Sequence, residues 1–484
     1  MPQVLSKIPL SAPITTSCYQ YVHPWNQSCS VAIAGCFLYC VFDSLRIYGT
    51  VYLCTLLMKG RIPTKEDIRR TLNGILQSTA FLSFTGFGYS LFLCSLRRLL
   101  GHFNLLTVSF WPAFLSSAFA ILIERPSRRT LLCLYVSNIA TETVWNMALS
   151  RGMVRNIPYG DVAIFGGSMA VLLAYYKSGH HAAVPDSMFK ILKFVIGPYE
   201  EKDFGARVTH EANAFYRQQV ATADRRSQSE NIRPHEGLPK SSHSKKPKNL
   251  VYHLITQMLR IYKRLIHRMK CLGRHQACPH PFSCLYYVMG GTGKMFSVGL
   301  GIQITLKLVL NLKRIFTNPK TIKQILLKKE TLNLGLFLGL YSGMFRGVLC
   351  TLRRIFGKDD PVFAFPASLL ASVAFKKYPD TTVALYVAWK SAQITYNIGI
   401  QKGYVPKIPG FTEFLYCLST GILFHAAILE PTNLRASYWK FLHSISGGRI
   451  ACMAREPLDI WGLNTSASLE TVLKATKTIP VVYF

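Results

Sequence analysis

Six Cys and His residues crowd the eighteen positions from His267 to Cys284: His267, Cys271, His275, Cys278, His280 and Cys284. Thiolate sulfur and neutral imidazole nitrogen are the donors that hold zinc in a tetrahedron. His275, Cys278, His280 and Cys284 are therefore a candidate zinc site. A smaller group, Cys18, His23 and Cys29, lies within twelve residues near the N-terminus. Neither run contains a Cys-x-x-Cys pair, so packing or a disulfide is the alternative, and no other cofactor is implied.

A second constellation is polar and sits inside apolar sequence. Asn138, Glu142 and Asn146 fall at i, i+4 and i+8, one stripe of a helix. Gln393 and Asn397 stand at the equivalent places later in the chain, with Lys390 close by. A carboxylate deep in a bilayer is costly unless it is paired or watered. Two readings stay open: a polar path, or a structural seam in which Glu142 and Lys390 neutralise one another. Arg346 is a further ionisable residue within an apolar helix and also needs a partner.

Catalytic signatures are lacking. GGTGKM at 290–295 resembles a phosphate-binding loop, but Met295 stands where the Ser or Thr that holds magnesium belongs. No Gly-x-Ser-x-Gly, His-Glu-x-x-His or Asp-His-His-Cys run occurs. The chain reads as non-enzymatic, with no catalytic residues.

The elements that must position these groups are written twice. LCSLRRLLG (Leu93 to Gly101) returns as LCTLRRIFG (Leu349 to Gly357), and PAFLSSAFA from Pro112 answers PASLLASVAF from Pro366. ATETVWNMALSRGMV, ending at Val154, lies over SAQITYNIGIQKGYV, ending at Val405; SMFKILKFVIG from Ser187 matches SYWKFLHSISG from Ser437. His23-Pro24 and Cys29 are echoed by His280-Pro281 and Cys284. Most offsets lie between 250 and 257 residues, so the chain is a tandem duplication.

Composition bounds the class. Half of the 484 residues are hydrophobic and 16% charged, with 56 Lys+Arg against 23 Asp+Glu, a formal +33. A nucleic-acid binder would gather that excess on one basic face. Here it stands at the ends of apolar runs, as at Arg97-Arg98, Arg128-Arg129 and Lys376-Lys377, which is the pattern of a multi-pass membrane protein. The partner is a lipid bilayer and not nucleic acid. Thirteen Cys scattered through apolar runs fit buried thiols in a reducing compartment.

The expected fold is all-α: a tandem duplication of a four-helix unit, with five helices as the alternative, each flanked by an amphipathic helix. Residues 29–58 are apolar but interrupted by Asp43 and Arg46, an i,i+3 pair able to neutralise itself, and form either a span or an interfacial helix. Spans are expected near 72–96, 109–123 (short enough to be re-entrant), 130–150 and 161–177. In the second copy an apolar stretch at 295–312 precedes spans near 331–352, 361–375, 381–401 and 411–429. Amphipathic pieces follow at 186–197 and 436–446. The domain reading is an N-terminal tail 1–17, a first membrane repeat 18–198, a polar basic linker 199–270, a second repeat 271–448 and a tail 449–484. Loop charge under the four-span scheme puts the linker and both termini in the cytosol. Gly335, Gly339, Gly343 and Gly347 line one helix face, where absent side chains let another helix approach closely.

At ILIERPSRR (Ile121 to Arg129), NIATET (Asn138 to Thr143) and LRASYWKFL (Leu434 to Leu442) the chain resembles the transmembrane protein 135 family, also called a peroxisomal membrane protein family. The Gly-rich helix followed by LRRIFGKDDP is also similar to the mitochondrial inner-membrane translocase pore superfamily, although Thr79, Ser83, Phe87 and Leu91 replace the glycines in the first copy. The family resemblance implies a multi-pass protein of peroxisomal and mitochondrial membranes, linked to mitochondrial fission, peroxisomal and lipid metabolism, and organelle-dynamics proteins as partners. A transporter or channel-like protein moving a lipid or metabolite is the other expectation. Neither substrate nor oligomeric state follows.

Overall fold

The repeated LRRxxG motif is a helix ending. In the computed structural model, Gly101 (φ 75°) and Gly357 (φ 67°) both take the left-handed conformation. Each donates its N–H back to the carbonyl of the motif's first Arg, Arg97 or Arg353, which closes the last turn. Other termini are equally local in origin. Thr64 and Asp67 form a capping box, while Asp186 and Asp380 accept backbone N–H groups as N-caps.

The structure describes residues 12–58, 63–202, 250–273, 275–318, 321–326 and 328–483. The expectations for 1–11 of the tail and 203–249 of the linker lie outside them. The principal helices, in chain order, are α1 (Cys29–Leu57), α2 (Lys65–Leu100), α3 (Phe110–Ile123), α4 (Pro126–Ser150), α5 (Gly160–Lys177), α6 (Ser187–Ile196), α7 (Leu250–Cys271), α8 (Cys284–Leu310), α9 (Asn333–Phe356), α10 (Ala364–Ala371), α11 (Thr381–Gln401), α12 (Phe411–Leu429), α13 (Ala436–Ile445) and α14 (Thr465–Thr476). No β-strand occurs among the described residues. The all-α expectation holds. The end of the expected linker is ordered, since 250–271 form α7.

Among the described residues, five helices are long and apolar enough to cross a membrane: Cys29–Leu56, Lys65–Leu100, Cys284–Leu310, Lys329–Phe356 and Phe411–Leu429. Two of them, α1 and α8, stand in front of the four helices expected in each copy, while the spans expected near 130–150, 161–177, 361–375 and 381–401 are not among the five; in 361–375 the α-helix is only the eight residues of α10. Residues 295–312 were the latter part of a helix that begins at Cys284. In α1 the interruption is neutralised as its spacing allowed: Asp43 pairs with Arg46 at 2.5 Å and accepts a hydrogen bond from Ser444. Both helices leave large apolar side chains uncovered, among them Phe42 (79% exposed) and Leu310 (82%). Lipid is the solvent that tolerates such surface. The segment at 109–123 is apolar but short, as expected.

The chain folds into two compact units that do not follow the sequence halves. One comprises 1–157 with 406–484, the other 158–405. In unit 1, α1 packs on α2, α2 on α3, and both α3 and α4 pack on α12. In unit 2, α8 packs on α9, α9 on α10, and both α10 and α11 pack on α5. Each unit is thus four helices of one repeat plus the fifth helix of the other. The amphipathic helices travel with the exchange: α13 lies on α1, and α6 on α9. Unit 1 has its core at Leu93, Phe103, Trp439 and Trp461, and unit 2 at Leu172, Tyr341, Phe345 and Phe375.

The glycine ladder serves this packing at three of its four rungs. A side chain at Gly335 or Gly339 would meet Phe296 of α8 at 3.0 Å, and one at Gly343 would meet Thr292. The partner is therefore α8 of the same chain. Gly347 has open space around it, so it takes no part in the seam.

Candidate functional site

Each unit gathers three Cys and one His at one end of a helix pair. In unit 1 the group is Cys18, His23, Cys29 and Cys94; in unit 2 it is Cys278, His280, Cys284 and Cys350. Within each group the four ligand atoms lie within 4.8 Å of one another. The folding logic is the same in both. Cys29 and Cys284 open α1 and α8. Cys94 and Cys350 are the Cys of LCxLRR, seven residues before the capping glycine of α2 and α9. The remaining two ligands come from the segment before α1 or α8. Ser17 caps a single turn, Cys18–Tyr21, whose Tyr21 is buried and whose carbonyl accepts from Ala454. Ser283 caps α8 and donates to Met269 of α7.

The imidazoles are fixed the same way. Nδ1 of His23 donates to the Asn26 carbonyl at 2.7 Å, and Nδ1 of His280 to the Phe282 carbonyl at 2.6 Å. Nε2 therefore faces the thiols, 3.3 Å from Cys29 Sγ in unit 1 and 3.5 Å from Cys350 Sγ in unit 2. Cys278 and Cys284 have their sulfurs 3.8 Å apart. The two His are 2% and 1% exposed. A hydrogen bond from Cys94 holds the Cys18 thiol down to about 5, against burial that raises it. One from Cys350 holds Cys278 down to about 4, again against burial. No disulfide occurs among the described cysteines.

Of the four residues expected to bind metal, three meet. His275 does not: its Nδ1 accepts from the N–H of Ala277, two residues further on, and Cys350 holds the fourth place. His267 is exposed on α7, and the Cys271 side chain lies outside what is described. Cys94 and Cys350 were missed because they are remote in sequence from the His. The signal was there, since both sit at the same place in the duplicated LCxLRR motif.

The polar stripe is not one constellation. Asn138, Glu142 and Asn146 belong to unit 1, where Glu142 pairs with Arg435, at the N-terminus of α13. Asn146 donates to the Asn433 carbonyl at 3.1 Å, and Asn138 is buried. Lys390, Gln393 and Asn397 belong to unit 2. Lys390 pairs with Asp186, the N-cap of α6, at 2.8 Å and donates to Gln393 at 2.9 Å. Asn397 is half-buried. Glu142 and Lys390 therefore neutralise different partners, not each other. In each unit the charge fastens the fourth helix to the start of the amphipathic one.

Arg346 finds its partners at the other end of α6. Its guanidinium donates to the carbonyls of Val195, Ile196 and Tyr287 and lies over the Tyr287 ring. A side chain at Gly291 would occupy the space of that guanidinium. The cation meets the negative end of the α6 dipole. Beyond it, Glu200 accepts from Arg353 and from Tyr287 at 2.8 Å and is ion-paired with Lys177 at 3.7 Å, with Arg353 and Glu200 both fully buried. Burial would raise the Glu200 carboxyl; Arg353 and Lys177 outweigh it and hold it at about 2. Nothing in the sequence joined Glu200 to Arg353.

The helices, their uncovered apolar faces and the buried ion pairs define an integral, multi-pass, all-α membrane protein. Residues 15–149 match the family model for the N-terminal cysteine-rich region of Transmembrane protein 135, so this part of the chain is similar to that family. The match contains the whole unit 1 cluster. No solved structure matches the chain.

Proposed function

We propose that the protein is a non-enzymatic scaffold of peroxisomal and mitochondrial membranes that influences mitochondrial fission and peroxisomal lipid metabolism. The organelle assignment rests on the family match. The scaffold reading rests on one observation: in each unit the charged residue of the stripe is already paired with the start of an amphipathic helix. A transport path would leave such groups facing water. The unit 1 cavity beside Trp25, Tyr89 and Arg449 has a volume of about 40 Å³, room for a few waters.

The test is removal of the protein from cells and its return as wild type or as Glu142→Gln. Wild type should restore mitochondrial length and peroxisomal fatty-acid turnover, and co-fractionate with both organelles. Purified protein in liposomes should pass no fatty acid or sterol. Flux abolished by Glu142→Gln would replace this reading with transport. Protease added to intact organelles should cleave 199–249, the cytosolic linker, without detergent; full protection would sink that topology.

A further inference from the structure

Beyond that role, we propose that the chain binds two zinc ions, one in each unit, at Cys18, His23, Cys29 and Cys94 and at Cys278, His280, Cys284 and Cys350. The geometry carries the assignment. Metal–ligand lengths of about 2.3 Å to sulfur and 2.0–2.1 Å to nitrogen give a tetrahedron with edges of about 3.8 Å between sulfurs and about 3.5 Å between sulfur and nitrogen. The Cys278–Cys284 separation is 3.8 Å and the Cys350–His280 separation 3.5 Å. All four donors in each group fall within 4.8 Å of one another. A disulfide would need sulfurs about 2.05 Å apart and would leave one thiol and the imidazole without a purpose.

The surroundings of the His agree. A ligating imidazole ordinarily donates its other N–H to a carbonyl or carboxylate, which fixes the tautomer and aims the ring. Nδ1 of His23 and of His280 each donates to a carbonyl of the next turn, at 2.7 and 2.6 Å. With four protein donors and near-complete burial of the imidazole the sites are closed, so the zinc is structural and activates no water. Binding forms three Zn–S bonds and one Zn–N bond at each site and displaces to water whatever protons the three thiols still carry. The metal would staple the segment before α1 to the far end of α2, and the segment before α8 to the far end of α9.

The duplication adds independent weight. The loop spacing differs, Cys-x4-His-x5-Cys in one copy and Cys-x-His-x3-Cys in the other. The same four donor types nevertheless converge in both.

Full-length protein purified in detergent without added metal should carry two zinc ions per chain by elemental analysis. Cys94→Ser should leave one, Cys350→Ser one, and the double variant none. Cys54→Ser and His275→Ala should keep two. A serine variant can lose metal by misfolding, so wild type stripped with a chelator and reloaded with cobalt gives a second readout. Its spectrum should show tetrahedral bands and thiolate-to-cobalt charge transfer, bleached by two equivalents of zinc. Wild-type zinc below one equivalent, iron in its place, disulfides joining these cysteines, or zinc kept by the double variant would each overturn the proposal.

Discussion

Two units descended from one repeat hold their amphipathic helices by opposite means. In unit 1 the fourth helix offers the anion, Glu142, and the amphipathic helix the cation, Arg435; in unit 2 Lys390 is the cation and Asp186 the anion. The first two helices also differ in how they meet. Unit 2 uses Gly335, Gly339 and Gly343 against Phe296 and Thr292. Unit 1 sets Phe87 against Phe37, ring centroids 5.0 Å apart, with a close approach displaced to Gly86 beside Cys40. The repeated Arg has parted ways as well. Arg353 is sealed against Glu200, whereas Arg97 donates to the backbone carbonyls of Thr15 and Thr16 and lies over Phe103. Charge sign, seam chemistry and the partner of a shared Arg are all free to change. The set of three Cys and one His, the capping glycines and the exchanged helix are the same in both.

The largest asymmetry should appear at the shared Arg. Arg353→Met leaves Glu200 buried without its main partner, which typically costs about 3–5 kcal/mol. Arg97→Met removes contacts at a partly exposed site and should cost about 1 kcal/mol. Thermal unfolding in detergent, followed by protease resistance of each unit, reads both; equal losses would remove the distinction. Acid provides a second probe of the same pair. The folded pKa of Glu200, about 2, lies below its ordinary 4.5. The unfolded chain therefore takes up the proton first, and the contribution is complete above pH 4.5 and lost as pH falls towards 2. Unit 2 should lose on the order of 3 kcal/mol across that window. Glu200→Gln should flatten the dependence, and an unchanged acid profile in that variant would show that Glu200 is not its source.

The seam should respond next. Gly339→Leu or Gly343→Leu inserts a side chain where α8 and α9 touch, an overpacking of about 1–3 kcal/mol. Gly347→Leu, in open space, and Leu340→Ile, one residue off the face, should be nearly silent. A loss at Gly347 equal to that at Gly339 would mean that α8 is not what the ladder packs against. The smallest effect belongs to the reversed pairs. Glu142→Gln and Lys390→Gln should each cost about 1 kcal/mol. Glu142→Arg combined with Arg435→Glu should recover what either loses alone; no recovery would show that the pair does not act as a unit.

The duplication, the helical class and the expected spans at 72–96, 331–352 and 411–429 were legible because apolar length and repeated motifs are properties of one strand of text. Asp43 and Arg46 were readable as a pair for the same reason, being three residues apart. Glu142 was recognisable as a residue in need of a cation, but its partner is 293 positions away, and the cation expected for it, Lys390, pairs with Asp186 instead. Cys94 and Cys350 lay in the most obvious repeat of the chain and were read as apolar, since a lone Cys among Leu is usually that. The exchange of α5 and α12 was invisible. Two helices from equivalent places in a duplicated sequence fit the same socket, and only packing decides which one occupies it.

That exchange has a consequence for how the protein is made. Helices α1 to α4 end at Ser150, and the helix that completes them, α12, begins at Phe411. Some 260 residues must leave the ribosome between those events, on the order of 13–50 s at roughly 5–20 residues per second. Unit 2 has all of its membrane helices once Gln401 is synthesised. The first-born unit is therefore the last to close, with the apolar groove between α3 and α4 left for insertion factors or lipid to cover meanwhile. A message that terminates just after Val405 would encode every membrane helix of unit 2 and leave unit 1 without its fifth.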